Sequence, residues 1–221
     1  MLTIIMQWLD YLIIGTYIAQ AYQIFFYAVP SAGSTREMFF NLKKKSIDAH
    51  PHPAAGVHQA GSRMFISAAV TLAVLALSMI PLLSLLFPEL NPYFLPLTQT
   101  SLPALSIISA ALLIAGNGLT FIAVATLRAH VHFDEFGETV RLHTAGIYGY
   151  IRNPITLGLA TIFAGFVLAR PSVALILGMM IFLLNAEYRI KMEEVYLQTA
   201  FRDKYPQYRK RVGKYLPKIR R

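Results

Sequence analysis

The chain has 221 residues, of which 56% are hydrophobic and 14% charged, with a formal net charge of +9 and no cysteine. So apolar a composition excludes an ordinary water-soluble domain and marks an integral membrane protein, while the missing cysteines exclude disulfides, thiolate metal sites and cysteine nucleophiles. The positive charge does not point to nucleic acid, because it gathers at one end: residues 189–221 hold eleven Lys/Arg against three Asp/Glu. Such a cluster beside a spanning segment is what cytoplasmic orientation and attraction to anionic lipid produce.

In chain order, Thr3 to Val29 is apolar over more than the roughly 20 residues a bilayer core requires. It lacks the basic start and short apolar core of a signal peptide, which predicts a retained helix. Asp10, Gln20 and Gln23 interrupt it; a polar face on a spanning helix points into the bundle, and Asp10 is expected near the outer interface. Residues 30–63 are polar, with Lys43, Lys44, Lys45 and three histidines. His50 and His52 each precede a proline and His58 has no carboxylate cluster beside it, so a polar loop is expected rather than a metal site. Met64–Phe87 reads as a second span with Pro81 as a kink near its end. Pro103–Ala125 reads as a third, in which Gly116, Asn117 and Gly118 allow close helix packing. The polar stretch from Arg128 to Arg152 contains His130 and His132 near Asp134 and Glu135, but not the repeated histidine boxes of membrane di-iron oxygenases, and no metal is expected. Pro154–Ala169 and Ser172–Tyr188 then form two apolar runs joined by Arg170 and Pro171, a tight helical hairpin whose first arm is short for a full crossing.

Segments 30–63, 126–153 and 189–221 are rich in Lys/Arg, whereas 88–102 has none. The positive-inside rule then predicts an all-α polytopic membrane protein with about five transmembrane helices, its amino terminus outside, and its carboxyl terminus and polar clusters cytoplasmic. Residues 1–125 form an N-terminal unit of three spans, and residues 126–221 a C-terminal region carrying the hairpin and the candidate pocket. From Arg189 to Leu216, Leu197, Phe201, Tyr205, Tyr208, Val212 and Tyr215 recur at spacings of three and four, opposite a face of Lys and Arg. That pattern predicts an amphipathic cytoplasmic helix lying along the membrane surface.

Two stretches carry chemistry. In TAGIYGYIRNPITLG, Tyr148 and Arg152 stand four apart as on one helical face, and Asn153-Pro154 predicts a capped helix start whose free N–H groups hold an anion. In RIKMEE, Arg189 and Glu193 also stand four apart, as either an intrahelical ion pair or one rim of a site. With Glu194 and a capped helix on the same membrane face, a binding site is the expectation.

These motifs resemble the isoprenylcysteine carboxyl methyltransferase family, part of whose pattern phospholipid N-methyltransferases share. The resemblance rests on G-x-Y-x-x-x-R-x-P-x-x-x-G at Gly146, Tyr148, Arg152, Pro154 and Gly158, and on R-I-x-x-E-E-x-x-L at Arg189, Ile190, Glu193, Glu194 and Leu197. An F-x-x-x-Y-x-x-Y-x-x-R-V run from Phe201 to Val212, with Pro217 beyond it, completes the pattern. The chain departs from it at Asn153 and Thr156, where the family usually has His and Tyr, and His143 lies out of register with a further family histidine. The resemblance implies an integral membrane enzyme that transfers a methyl group from S-adenosylmethionine to a lipophilic acceptor arriving from the bilayer. It implies cofactor binding by Gly146, Tyr148, Arg152, Asn153, Pro154, Thr156, Leu157 and Glu194, with Arg189 and Glu193 as catalytic residues. An isoprenylcysteine-like carboxylate is the expected acceptor; a phospholipid amine, or a non-catalytic scaffold, are the alternatives. Membrane sterol reductases share a related carboxyl-terminal half but are longer.

Overall fold

The structure is a computed structural model that describes residues 7–23, 69–97, 103–131 and 142–218, with residues 103, 128–131, 196 and 200 described by backbone alone. The elements are helices α1 (7–23), α2 (69–78), α3 (Ile80–Leu86), α4 (Pro103–Val131), α5 (Pro154–Ala169), α6 (Val173–Ala200) and α7 (Lys204–Arg211). Short 3-10 turns occupy Pro88–Phe94 and Gly146–Gly149. The expected His50, His52 and His58 loop and the residues from His132 to Arg141 lie outside the described residues, as does the side chain of His130.

Three helices are long and apolar enough to cross a membrane: Ala69–Leu86, which takes in α2 and α3, Ala104–Leu127 within α4, and Val173–Thr199 within α6. The apolar helix α5 is shorter, so the described helices support three crossings by length and composition, and the expected count of about five is not confirmed among the described residues. Ile80 restarts the helix with Pro81 in its first turn, after a turn at Met79. The proline ring cannot follow an unbroken helix, because it removes one hydrogen bond and crowds the carbonyl four residues back.

The short α5 is nevertheless the centre of the packing. Its Ile162, Phe166 and Ala169 join Leu9 and Ile13 of α1 and Leu113 of α4 in one cluster, while Phe163 joins Val74 of α2, Ile80 of α3 and Leu175 of α6 in another. Helix α4 meets α5 through Ser106, Ser109, Leu113, Gly116, Thr120 and Ala123, buried positions three or four apart. At Gly116 an added Cβ would lie 2.7 Å from Ile162 Cγ1 and 2.8 Å from the Gly158 carbonyl oxygen, so two backbones touch there. Gly118 faces open space, which limits the expected packing role to Gly116. In lipid, where no hydrophobic force draws helices together, such small-residue contacts and interhelical hydrogen bonds supply the attraction.

The polar residues of α1 do face the bundle. Gln20 Nε2 donates to Asn117 Oδ1 at 2.9 Å, and Asn117 Nδ2 donates to Thr16 Oγ1 at 3.1 Å. Asp10 pairs with Arg170 at 2.8 Å, closing the hairpin turn onto the first helix. At that same end Leu97 N–H donates to the Pro171 carbonyl and Val173 N–H to the Leu95 carbonyl. Outward, Trp8, Ile18, Leu72, Ile114, Phe121 and Leu184 are exposed. An apolar surface of that extent is a lipid-facing one.

The expected surface helix over 189–216 is not one helix. Helix α6 continues through Glu187 and Arg189 to Ala200, the chain turns at 201–203, and α7 begins at Lys204. Pro206 gives the reason: its ring and missing N–H are tolerated in the first turn of α7 but would break a helix running through residue 202. The stripe is also buried against protein rather than against lipid. Tyr205, Tyr208 and Val212 are 2%, 5% and 6% exposed and pack with Leu142, Leu197 and Phe201.

Candidate active site

The segment Gly146–Asn153 is built by backbone restrictions at both ends. Gly146 has φ +56°, and an added Cβ there would lie 2.7 Å from the Thr126 methyl of α4, so glycine is required. At the other end Pro154 disfavours helical backbone at Asn153, whose φ of −126° and ψ of 58° are non-helical. Between them lies a 3-10 turn and then an extended stretch, so Tyr148 and Arg152 do not share the helical face their spacing suggested. Pro154 opens α5 as expected. Asn153 stands at the cap position without a side-chain cap bond; its Nδ2 donates instead to the Lys214 carbonyl at 3.4 Å.

That carbonyl belongs to a hook formed by residues 212–218, which leaves α7 and returns beside the motif. Ile151 and Gly213 form a parallel bridge, with Arg152 N–H on the Gly213 carbonyl at 2.9 Å and Asn153 N–H on the Lys214 carbonyl at 3.1 Å. Tyr208 donates to the Tyr148 carbonyl at 2.7 Å. Lys218 Nζ donates to the carbonyls of Arg209 and Lys210, closing the carboxyl end of α7. The second anchor of the hook is Glu187 of α6, which accepts from Lys214 Nζ at 2.5 Å and from Tyr215 OH at 2.6 Å.

The hook depends on Gly213, where an added Cβ would overlap the Leu216 carbonyl oxygen. Gly213→Ala must therefore open the turn and release the backbone amides of Arg152 and Asn153. The expected result is a loss of about 1–3 kcal/mol of stability, as overpacked sites show. Thermal unfolding of the purified variant measures it, and an unshifted midpoint would contradict the proposed turn.

Inside this frame the two sequence motifs meet. Arg152 Nη1 lies 2.6 Å from Glu194 Oε1, with the two side chains only 10% and 14% exposed. The same Nη1 donates to Tyr205 OH at 3.2 Å, and Arg209 Nη2 reaches Glu194 Oε2 at 3.6 Å from a half-exposed position. Burial and the neighbouring Glu194 charge raise the Tyr205 hydroxyl above its usual range, and burial pushes Tyr208 up to about 12. Both are therefore neutral at physiological pH, and Tyr205 meets Arg152 as a hydrogen-bonding hydroxyl rather than as an anion. Two arginines around one carboxylate leave the cluster with a net positive charge.

Arg189 and Glu193 are placed differently. Both are exposed on the flank of α6, and no ion pair within 4 Å joins them to each other or to Arg152 among the described residues. Gly146 and Tyr148 shape the turn, and Pro154 is buried. Thr156 and Leu157 lie half-buried in the first turn of α5, where Leu157 N–H donates to the Asn153 carbonyl. Glu187, Tyr205, Arg209, Gly213 and Lys214 were not singled out as site residues; the spacing of the last motif put Tyr205 on the apolar stripe of a surface helix, and only the fold brings it to Arg152.

An arginine from the turn before α5 is thus locked onto a glutamate two turns past the last purely apolar stretch of α6, at one end of an apolar helical bundle. Residues 105–204 match the phospholipid methyltransferase family. This family includes the isoprenylcysteine carboxyl methyltransferase-like membrane enzymes that the motifs resemble. The match runs from α4 to the start of α7 and takes in both partners of the Arg152–Glu194 pair; the hook lies beyond it. No curated protein and no solved structure matches the chain. The family indicates a membrane methyltransferase and implies S-adenosylmethionine as the usual methyl donor.

The residues present fit that donor. Arg152 Nε is buried and has no hydrogen-bond partner among the described residues. A buried donor left unsatisfied costs about 1–3 kcal/mol, so an acceptor from a ligand is expected there. Beside it, the Glu194 carboxylate has lone pairs to spare, since each oxygen accepts more than one hydrogen bond. A guanidinium donor next to a carboxylate acceptor matches an amino-acid zwitterion, which is the methionyl end of S-adenosylmethionine.

Proposed function

We propose that the chain is an S-adenosylmethionine-dependent methyltransferase whose acceptor is a lipophilic carboxylate of the isoprenylcysteine type. The observation that carries this reading is the buried Arg152–Glu194 pair with its unpartnered Nε, inside the matched family region. Bound S-adenosylmethionine supplies an electrophilic methyl group on a sulfonium. The chain's task is alignment of the reactants and exclusion of water. Glu194 and Tyr205 aim Arg152, whose free donor holds the cofactor's carboxylate, while Glu194 faces its ammonium or ribose. Gly146, Tyr148, Asn153, Pro154, Thr156 and Leu157 form the wall and floor around that end.

Arg189, on the outer flank of α6, is proposed to orient the acceptor carboxylate. That group is already ionised at neutral pH, so no residue needs to take a proton. The phospholipid methyltransferase match supports a second reading, an amine acceptor, in which a carboxylate must take the proton and the exposed Glu193 is its candidate. The concentration of Lys/Arg at 189–221 supports a cytoplasmic site with the amino terminus outside.

Labelled S-adenosylmethionine, incubated with the purified protein and a membrane-lipid extract, separates the readings. A methyl ester releases its label as methanol in base, whereas an N-methyl amine retains it. Label in neither product, with folded protein and bound cofactor demonstrated, would overturn the catalytic reading. Arg189→Lys is expected to leave cofactor affinity within about twofold but to slow transfer about tenfold or more, because lysine lacks the planar fork that orients a carboxylate. Single-turnover rates and cofactor calorimetry on the same preparation measure the two effects separately.

A further inference from the structure

The Arg152–Glu194 pair does not account for the second charged cluster at this end of the molecule, on the opposite flank of α6 from Arg189. Glu187, with its side chain 40% exposed, binds Lys214 Nζ and Tyr215 OH. It lies within the apolar run Val173–Thr199, next to lipid-exposed Leu183, Leu184 and Tyr188. Ionisable groups in such surroundings are costly unless they serve a purpose. Lys191 stands one turn after Glu187 on α6, exposed, at the four-residue spacing that puts two side chains on one helical face. One carboxylate thus stands between two lysines, Lys214 in direct contact and Lys191 one helical turn away. Lys214 has three donors, of which Glu187 takes one, and its ammonium lies 5.3 Å from the centre of the Tyr215 ring. The two lysines outnumber the carboxylate by one charge, on a stretch of α6 where Leu183, Leu184 and Tyr188 are exposed.

We propose that Lys214 and Lys191, held around Glu187 at the lipid-facing edge of α6, seat the phosphate of an anionic membrane phospholipid that acts as a ligand of the protein rather than as its methyl acceptor. The bilayer supplies such a group at this depth, because headgroup phosphates lie where a spanning helix emerges and attract basic side chains there. The consequence for the site runs through the hook. Lys214 offers its ammonium to the lipid and its carbonyl to Asn153, and the preceding Gly213 carbonyl holds the Arg152 amide. A phosphate that completes the charge of the cluster holds the hook closed and Arg152 in place. Only this consequence rests on the reading of Arg152 and Glu194 as the cofactor seat.

The test uses the full chain in detergent, titrated with phosphatidylglycerol or phosphatidylcholine and read by native mass spectrometry, with S-adenosylmethionine affinity measured in nanodiscs of each lipid. Wild type is expected to retain phosphatidylglycerol selectively. Lys191→Gln combined with Lys214→Gln is expected to weaken that retention about tenfold or more, the scale of a lost charge-assisted hydrogen bond, while Lys191→Arg with Lys214→Arg preserves it. Equal retention of the two lipids by wild type, or undiminished selectivity in the double glutamine variant, overturns the proposal. Displacement of phosphatidylglycerol by palmitate at matched concentration would reassign the seat to a lipid carboxylate and overturn the phospholipid assignment. Cofactor affinity equal in both nanodiscs would refute the coupling through the hook. A wild type that binds no cofactor but retains phosphatidylglycerol selectively would sink the methyltransferase reading and leave the lipid seat standing.

Discussion

Glu194→Gln is expected to weaken S-adenosylmethionine binding about 10- to 100-fold, the equivalent of about 1.5–3 kcal/mol for a charge-assisted hydrogen bond in a partly dry site. Two effects act in the same direction. The glutamine presents a neutral oxygen where the carboxylate now faces both Arg152 and Arg209, so the cofactor's ammonium or ribose loses its charged partner. Arg152, 10% exposed, loses the anion that aims it, and removal of one partner of a buried pair leaves an uncompensated charge. The protein is therefore expected to be less stable as well as weaker in binding. Calorimetric titration with S-adenosylmethionine, beside thermal unfolding without it, separates the two. If Glu194→Gln lowered stability and left affinity unchanged, the pair would be a structural brace and the cofactor seat would lie elsewhere.

Gly158→Ala is expected to destabilise the bundle by about 1–3 kcal/mol, the range seen when a methyl group is forced into a packed interior. The added Cβ would lie 2.5 Å from the Thr120 methyl and 3.0 Å from the Gly116 carbonyl oxygen. Neither can retreat easily: Thr120 Oγ1 is bonded to the Gly116 and Asn117 carbonyls, and the other contact is backbone. Helices α4 and α5 would have to separate one turn beyond Arg152, so cofactor affinity is expected to fall with stability. Gly118→Ala on the partner helix α4 is the matched control, since nothing lies within 4 Å of that position. It should be neutral or slightly stabilising through alanine's helix preference. Equal unfolding midpoints for the two variants would contradict the close contact of α4 and α5.

Sequence alone determined the elements whose cause is local or compositional. Apolar runs of spanning length marked α4 and α6, the Pro154 start and the Arg170-Pro171 turn bounded α5, and the polar face of Gln20 pointed inward because lipid offers it no partner. The motifs that resemble the family hold both Arg152 and Glu194, and both lie within the matched region 105–204.

Only the tertiary structure decided how those residues meet. Spacing put Arg189 with Glu193 and Tyr148 with Arg152, because a four-residue interval has meaning only inside a helix. The turn required by Gly146 and Pro154 cancelled one pairing, and on the flank of α6 Arg189 and Glu193 form no ion pair within 4 Å among the described residues. The stripe through Tyr205 and Tyr208 has the same period whether it faces lipid or protein, so its burial against Leu142 and Leu197 could not be read from periodicity. Arg152 met Glu194, and Glu187 met Lys214, across 42 and 27 residues because the hairpin and the Pro206 break fold α7 and the hook back onto α5. Contacts between segments so far apart in sequence depend on where the chain turns, and that is decided by packing rather than by any local pattern.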